Sequence, residues 1–192
     1  MKKILIGTHN RGKFKEISYL ISKKYRKISP ISLKIKSPKE TGKTFSSNSK
    51  LKANYFSKFV DYAVISDDSG LCIKTLNNSP GIYSARLAKK KGSFYKAMKF
   101  ILKKLEGKKN RSATFVCSLS IKIPQKKLVT VEGKLNGVIS KKILGNNGFG
   151  YDPIFIPRGY KITFGQMTYY KKIKLDHRFL AYKKLKKKIK IL

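Results

Sequence analysis

Apolar residues fall into two rhythms along this chain, one of alternate positions and one of every third or fourth, and each change of rhythm marks a predicted element. Lys3 to Gly7 is a short apolar strand, and after a polar loop Phe14, Ile17, Leu20 and Ile21 return at helical spacing. Ile28, Ile31, Leu33 and Ile35 predict a second strand over 27–35, irregular at its start because of Pro30. A helix is expected over 46–59, with Leu51, Tyr55, Phe56 and Phe59 inward and Ser46 or Ser47 as N-cap. Val64 and Ile65 begin a strand that runs into Asp67 and Asp68, meets a Ser69-Gly70 turn and resumes from Leu71 to Lys74. Asn77 to Gly81 is a turn, and Phe94, Ala97, Met98, Ile101, Leu102 and Leu105 give a core-facing helix.

The clearest strand is 112–123, where Ala113, Phe115, Cys117, Leu119, Ile121 and Ile123 alternate with mostly polar neighbours. Strands over 128–135 and from Gly137 to Ile143 follow by short connections, then the apolar run Ile154-Phe155-Ile156. A last helix opens near Lys171, with Phe179, Leu180, Leu185 and Ile189 inward. Lys183, Lys184, Lys186, Lys187, Lys188 and Lys190 form its solvated face. Strand-helix units followed by consecutive strands predict an α/β fold with a mixed sheet.

A length of 192 residues and an apolar fraction of 41% fit one globular domain over 1–192. No apolar run is long enough to cross a bilayer and the N-terminus is too short for a signal peptide, so a cytoplasmic location with no membrane partner is expected. Cys72 and Cys117 lie in apolar segments without metal or redox spacing and read as small hydrophobes, not a disulfide. The formal charge of +37 fits either a nucleic-acid binder or a lysine-rich habit laid over an ordinary fold. Spread along the whole chain, the charge favours the second reading and no specific nucleic-acid partner.

Three stretches carry candidate chemistry. Asp67 and Asp68 are two of only nine acids, side by side at a strand end. Adjacent carboxylates repel unless a cation or a shared proton relieves them, which points to a metal or a catalytic proton. A turn in which both acids cap backbone N–H groups is the plain alternative. Gly7 to Lys13 fits G-x-x-x-x-G-K, but Phe14 stands where a P-loop needs Ser or Thr, which excludes that motif. What remains is either an anion site made by the start of a helix with Asn10 and Lys13, or an ordinary strand-to-helix turn. The loop from Gly145 to Pro153 combines glycines, Phe149, Tyr151 and Asp152, and suits either a flat heterocycle or a tight packed turn.

Taken in order, Thr8-His9-Asn10-Arg11-Gly12-Lys13, Glu40-Thr41-Gly42, Thr44 through Asn48 to Lys52-Ala53, Ser66 to Leu71, Pro80 to Arg86, Gly148 to Pro153 and His177-Arg178 resemble the inosine/xanthosine triphosphate pyrophosphatase family over nearly the whole chain. The resemblance implies a long mixed sheet flanked by helices, in two lobes with the active-site cleft between them, and usually a homodimer. It implies Mg²⁺-dependent hydrolysis of dITP, ITP and XTP to the monophosphate and pyrophosphate. Carried over by motif, Thr8, His9, Asn10, Arg11, Gly12 and Lys13 would hold the triphosphate, and Glu40 with Asp68 the metal. Asp68 would also accept the proton of the attacking water, supported by Asp67 and Lys52. Ser69, Phe149, Gly150, Tyr151, Asp152, Lys172, His177 and Arg178 would line the nucleotide site.

The alternatives are a septum-inhibitor-like nucleotide pyrophosphatase of other base preference, which resembles the chain less well at Gly148 to Pro153 and at His177-Arg178, and a basic nucleic-acid-binding protein. Against the family pattern, His9 replaces a glycine, Ser47 and Gln166 replace acids, and Tyr169-Tyr170-Lys171 stands where acids and lysine are usual. Less negative charge around the site predicts tight phosphate binding that weakens steeply with salt, checked by turnover across ionic strength.

Overall fold

Ile4, Leu5 and Ile6 are all fully buried, so the first strand, β1 (Lys2–Ile6), is covered on both faces and pairs within a sheet. The computed structural model describes residues 1–189. Around β1 come α1 (Arg11–Leu20), β2 (Tyr25–Ile28), α2 (Phe45–Phe56), β3 (Ala63–Ile73) and β4 (Ser79–Pro80). Then follow α3 (Ser84–Lys91), α4 (Phe94–Lys104), β5 (Ser112–Lys122), β6 (Val129–Ile139), β7 (Phe155–Pro157), α5 (Tyr169–Lys172) and α6 (His177–Lys188). The seven strands form one sheet in the order β2-β1-β3-β5-β6-β7, with β4 on β3. It is mixed, because β1 runs parallel to β2 and β3 while β3–β4 and β6–β7 are antiparallel.

The chain packs as two compact units, residues 1–68, 117–133 and 178 onward in the first, 69–116 and 134–177 in the second. In the first, Ile4, Ile6, Ile17, Ile65, Leu119 and Leu185 join one cluster, while Leu5, Phe56 and Val64 join another. Leu71, Ile73, Met98, Ile101, Phe115, Phe155 and Phe164 centre the core of the second. Among the described residues no helix is long and apolar enough to cross a membrane.

Several elements depart from the sequence pattern for identifiable reasons. β2 ends at Ile28, before Pro30, whose carbonyl accepts from the amides of Leu33 and Ile35 in a tight turn with Lys34 at φ 55°. The N-cap of α2 is Thr44, neither Ser46 nor Ser47. Its Oγ1 accepts from the Ser47 amide at 3.0 Å, while Ser47 Oγ accepts from the Thr44 amide. The buried face of α2 is Asn48, Ser49, Lys52, Ala53 and Phe56, and Phe59 lies beyond its end, half in solvent. β3 continues without a turn through Ser69-Gly70; Gly70 is needed because a Cβ there would collide with the Gly81 carbonyl.

β5 is buried on both faces, and its polar Ser118 and Ser120 hydroxyls meet Ser49 Oγ at 2.9 and 2.8 Å, not water. β6 is one strand where two were expected, and α3 and α5 carry too few periodic residues to have been anticipated. The inner side of α6 is Ala181, Tyr182 and Leu185, with Ile189 beyond its last residue. Phe179 and Leu180 are only half-buried, and Lys183, Lys184, Lys186, Lys187 and Lys188 are exposed as expected. Lys190 lies outside the described residues.

Candidate active site

In the first unit, β1 ends at a glycine for steric reasons: a Cβ on Gly7 would collide with Ser66 Oγ. The chain then turns through Thr8, whose Oγ1 accepts from the Asn10 amide, and Asn10 caps α1 by accepting from the Lys13 amide at 2.9 Å. Asn10 is thus the helix cap of the predicted phosphate loop. His9 Nε2 lies 2.9 Å from the Ile35 carbonyl, and Arg11 is exposed. The departure at His9 therefore ties the loop to the segment after β2. Lys13 Nζ reaches 3.0 Å from Asp67 Oδ2.

Asp67 and Asp68 are both buried on β3, but their surroundings differ. Burial alone pushes Asp67 up, yet Lys13, Lys52 and Arg178 together overcome it and hold its carboxyl down to about 2. At Asp68 burial wins over Lys13 and Lys52, with Glu40 adding to the rise, so its carboxyl sits above the ordinary range. One neighbour is a permanent anion and the other is poised to take a proton.

Lys52 lies among three carboxylates. Burial lowers its proton affinity, but Asp67, Asp68 and Glu40 raise it further, and its Nζ is 2.6 Å from Glu40 Oε1. Glu40 and Asp68 thus act on the same site from segments far apart in the chain. Asn48 joins them: its Oδ1 accepts from the Gly42 amide at 2.8 Å and its Nδ2 donates to Asp68 Oδ2 at 3.0 Å. A Cβ on Gly42 would collide with Ser47 Oγ and Asn48 Oδ1, so the glycine lets the Glu40 loop lie against α2. Asn48 stands in the motif order but receives no role from the sequence; its complete burial is what marks it.

A second omission is Glu16. It is buried on α1 and holds Arg178 Nη1 at 2.8 Å, while Arg178 Nε stands 3.8 Å from Asp67 Oδ2. Arg178, expected to line the nucleotide, is buried in this network at 3% exposure. Helical phase could have flagged Glu16, since it adjoins Ile17 and lies three residues after Lys13.

The other predicted residues belong to the second unit. Asp152 Oδ2 accepts from the Phe149 amide at 2.8 Å and from Lys172 Nζ at 2.6 Å. Lys172 Nζ also lies 4.7 Å from the Phe149 ring centroid, a cation–π distance. Gly148, at φ 77°, must be glycine twice over, because a Cβ would also strike Asp152 Oδ2. Tyr151 is buried, donates its hydroxyl to the Ser84 carbonyl at 2.9 Å, and is pushed up in proton affinity by that burial. His177 is buried and stacks on Phe115 at 4.7 Å and 8°. Ser69 is half-buried, next to Asp68 in sequence. Gln166 closes a capping box with Thr163.

A family model described as the Ham1 family matches residues 4–188. The chain belongs to the Ham1 family. Ham1-type relatives include the dITP/XTP pyrophosphatase of Bacillus licheniformis, 40% identical over 189 residues and covering 96% of each chain. That of Bacillus subtilis is 39% identical over 192 residues, covering 97% of this chain and 96% of its own. The solved Staphylococcus aureus Ham1 protein superposes with a TM-score of 0.87 at 34% identity over 98% of both chains. A HAM1 protein from Coxiella burnetii gives 0.88 at 29% identity over the full length of both. The family read from the ordered motifs and the mixed α/β fold are both borne out.

Proposed function

We propose that this Ham1 chain hydrolyses the non-standard purine triphosphates dITP, ITP and XTP to the monophosphate and pyrophosphate, with Mg²⁺. The observation that carries the reading is the Asp67-Asp68 pair: adjacent buried carboxylates with proton affinities driven in opposite directions, facing Lys13 and Lys52. Hydrolysis at the α-phosphorus needs an oriented water, a base and positive charge against the leaving group. Asp68, raised by burial and Glu40, accepts the proton of the water as its oxygen bonds to phosphorus. The bond to the pyrophosphate oxygen then breaks, and Lys13 faces the charge that develops there. Asp67 stays ionised, holds Lys13 at 3.0 Å and favours the charged form of Lys52.

Glu40 and Asp68 are hard oxygen donors that act on one site, and they fit Mg²⁺. Mg²⁺ keeps several waters and takes substrate oxygens, so one or two carboxylates are enough to hold it. Such an ion supplies charge neutralisation on the phosphates when bound. Asn48, donating to Asp68 Oδ2, fixes the orientation of that carboxylate.

Thr8 to Gly12 present the loop and the α1 N-terminus to the phosphates. The family resemblance assigns Ser69, Phe149, Gly150, Tyr151, Asp152, Lys172, His177 and Arg178 to the nucleotide; in the second unit Phe149 and Gly150 offer ring face and backbone, while Tyr151 and Asp152 hold the loop's shape. A 6-oxo purine presents an acceptor where adenine presents a donor, and an unpaired buried donor costs about 1–3 kcal/mol. The family resemblance adds a cytoplasmic location and a homodimer.

Pyrophosphate release from dITP, XTP, GTP, ATP and dTTP, with and without Mg²⁺, tests the reading. Preference for dITP and XTP with Mg²⁺ is expected, and equal turnover of ATP would reject it.

A further inference from the structure

Within the first unit one chain of buried charges leads to Lys13, the lysine proposed to meet the phosphates. Glu16, Arg178, Asp67 and Lys13 alternate in sign, at 2.8, 3.8 and 3.0 Å between successive partners. The first three side chains are at most 4% exposed, and only Lys13, at 15%, meets solvent. From this geometry we infer that Glu16 is a positioning residue for phosphate binding, acting on Lys13 through Arg178 and Asp67.

Glu16 takes the short, hydrogen-bonded contact of the guanidinium and leaves Asp67 the longer one at 3.8 Å. Asp67 Oδ2 is therefore available to hold Lys13 at 3.0 Å, where Nζ is presented from the first turn of α1. Neutralising Glu16 frees the fork of Arg178 to close on Asp67, since guanidinium and carboxylate pair best in a bidentate arrangement. Lys13 then loses its anchor. When Lys13 engages phosphate, Arg178 remains beside Asp67, so that carboxylate is never left buried without a cation. Glu16 and Lys13 both sit on α1, which keeps both ends of the chain of charges on one rigid element.

The sign of the effect separates this role from a background charge. A carboxylate that acted only through the general field would repel a triphosphate, so Glu16→Gln would lower KM. Positioning predicts the opposite: Glu16→Gln raises KM and lowers kcat/KM about tenfold, because Lys13 both binds phosphate and faces the leaving group.

This inference rests on the proposed triphosphate hydrolysis, and the test keeps the two apart. Kinetics on dITP are measured for the parent, Glu16→Gln, Lys13→Ala and the double variant, with urea midpoints alongside. The same four proteins are titrated calorimetrically with inorganic tripolyphosphate. Residues acting through one another give non-additive effects, so the double variant should be no weaker than Lys13→Ala in either readout. Multiplying losses, or a shift in urea midpoint with unchanged KM and tripolyphosphate affinity, would overturn the role. A parent that turns over no dITP rejects the hydrolysis, while the tripolyphosphate cycle still decides on Glu16. Where Glu16→Gln does not fold, Glu16→Asp keeps the charge, shortens the reach and enters the same cycle. It is expected to weaken tripolyphosphate less than Lys13→Ala does, and unchanged affinity in Glu16→Asp would overturn the inference.

Discussion

Each unit contains one lysine bonded to one carboxylate at 2.6 Å, Lys52 with Glu40 in the first and Lys172 with Asp152 in the second, and the two pairs do different work. Glu40 is 29% exposed and its lysine also feels Asp67 and Asp68, so the first pair is open and has more negative groups than its lysine can balance. Lys172 and Asp152 are each 3% exposed, and the carboxylate is further satisfied by the Phe149 amide. An open pair with surplus carboxylate invites a cation and a charged ligand. A closed, buried pair fixes the path of a loop.

Removing the proton acceptor breaks the open region most sharply. Asp68→Asn should lower turnover by ~10²–10⁴-fold, the usual contribution of a general base, with little change in urea midpoint. Full turnover in that variant would move the base elsewhere. Exchanging the lysines sharpens the contrast. Lys172→Met takes from buried Asp152 the ammonium bonded to it at 2.6 Å and should cost about 3–5 kcal/mol of stability, read from the urea midpoint, that Mg²⁺ does not restore. Lys52→Met should cost only about 1 kcal/mol, because Glu40 turns to water, and Mg²⁺ should raise its midpoint again. Equal losses in the two variants, both blind to Mg²⁺, would erase the distinction.

How much of this was legible in the sequence follows the same division. Paired acids and motif charges stood out against a lysine-rich chain: Asp67 and Asp68 lie within β3, Lys13 in the first turn of α1 and Glu40 in the loop before α2, all in the first unit. Single polar residues inside helices did not stand out. Asn48 and Glu16 occupy helix positions where propensity is indifferent and only burial gives them meaning, and burial depends on what packs against the helix. Alternation on β5 misled for a related reason: Ser118 and Ser120 look solvent-facing by period, but Ser49 on α2 satisfies them in the interior. Gly70 and Gly148 show the limit of reading turns from composition. One is a close approach within a strand and the other a true left-handed position, and a single chain does not tell them apart.

The finest test of the comparison lies inside the first unit, where Asp67 and Asp68 are neighbours with opposite shifts. Asp67 falls from its ordinary 3.8 to about 2 on folding. A depressed carboxyl stabilises the fold above its unfolded pKa, and that share is lost as pH falls through the folded value, here between about 4 and 2. The shift is worth about 2 kcal/mol. The stability gap between parent and Asp67→Asn, read from urea midpoints, should therefore narrow by that amount on acidification across this window. Asp68 is raised, so its share is present below 3.8 and fades as pH climbs through its folded value. Asp68→Asn should then compare worst with the parent in acid and improve toward neutrality, the reverse of its neighbour. Parallel trends in the two variants would mean that both carboxyls feel one common field, and that the lysines and Arg178 do not single out Asp67.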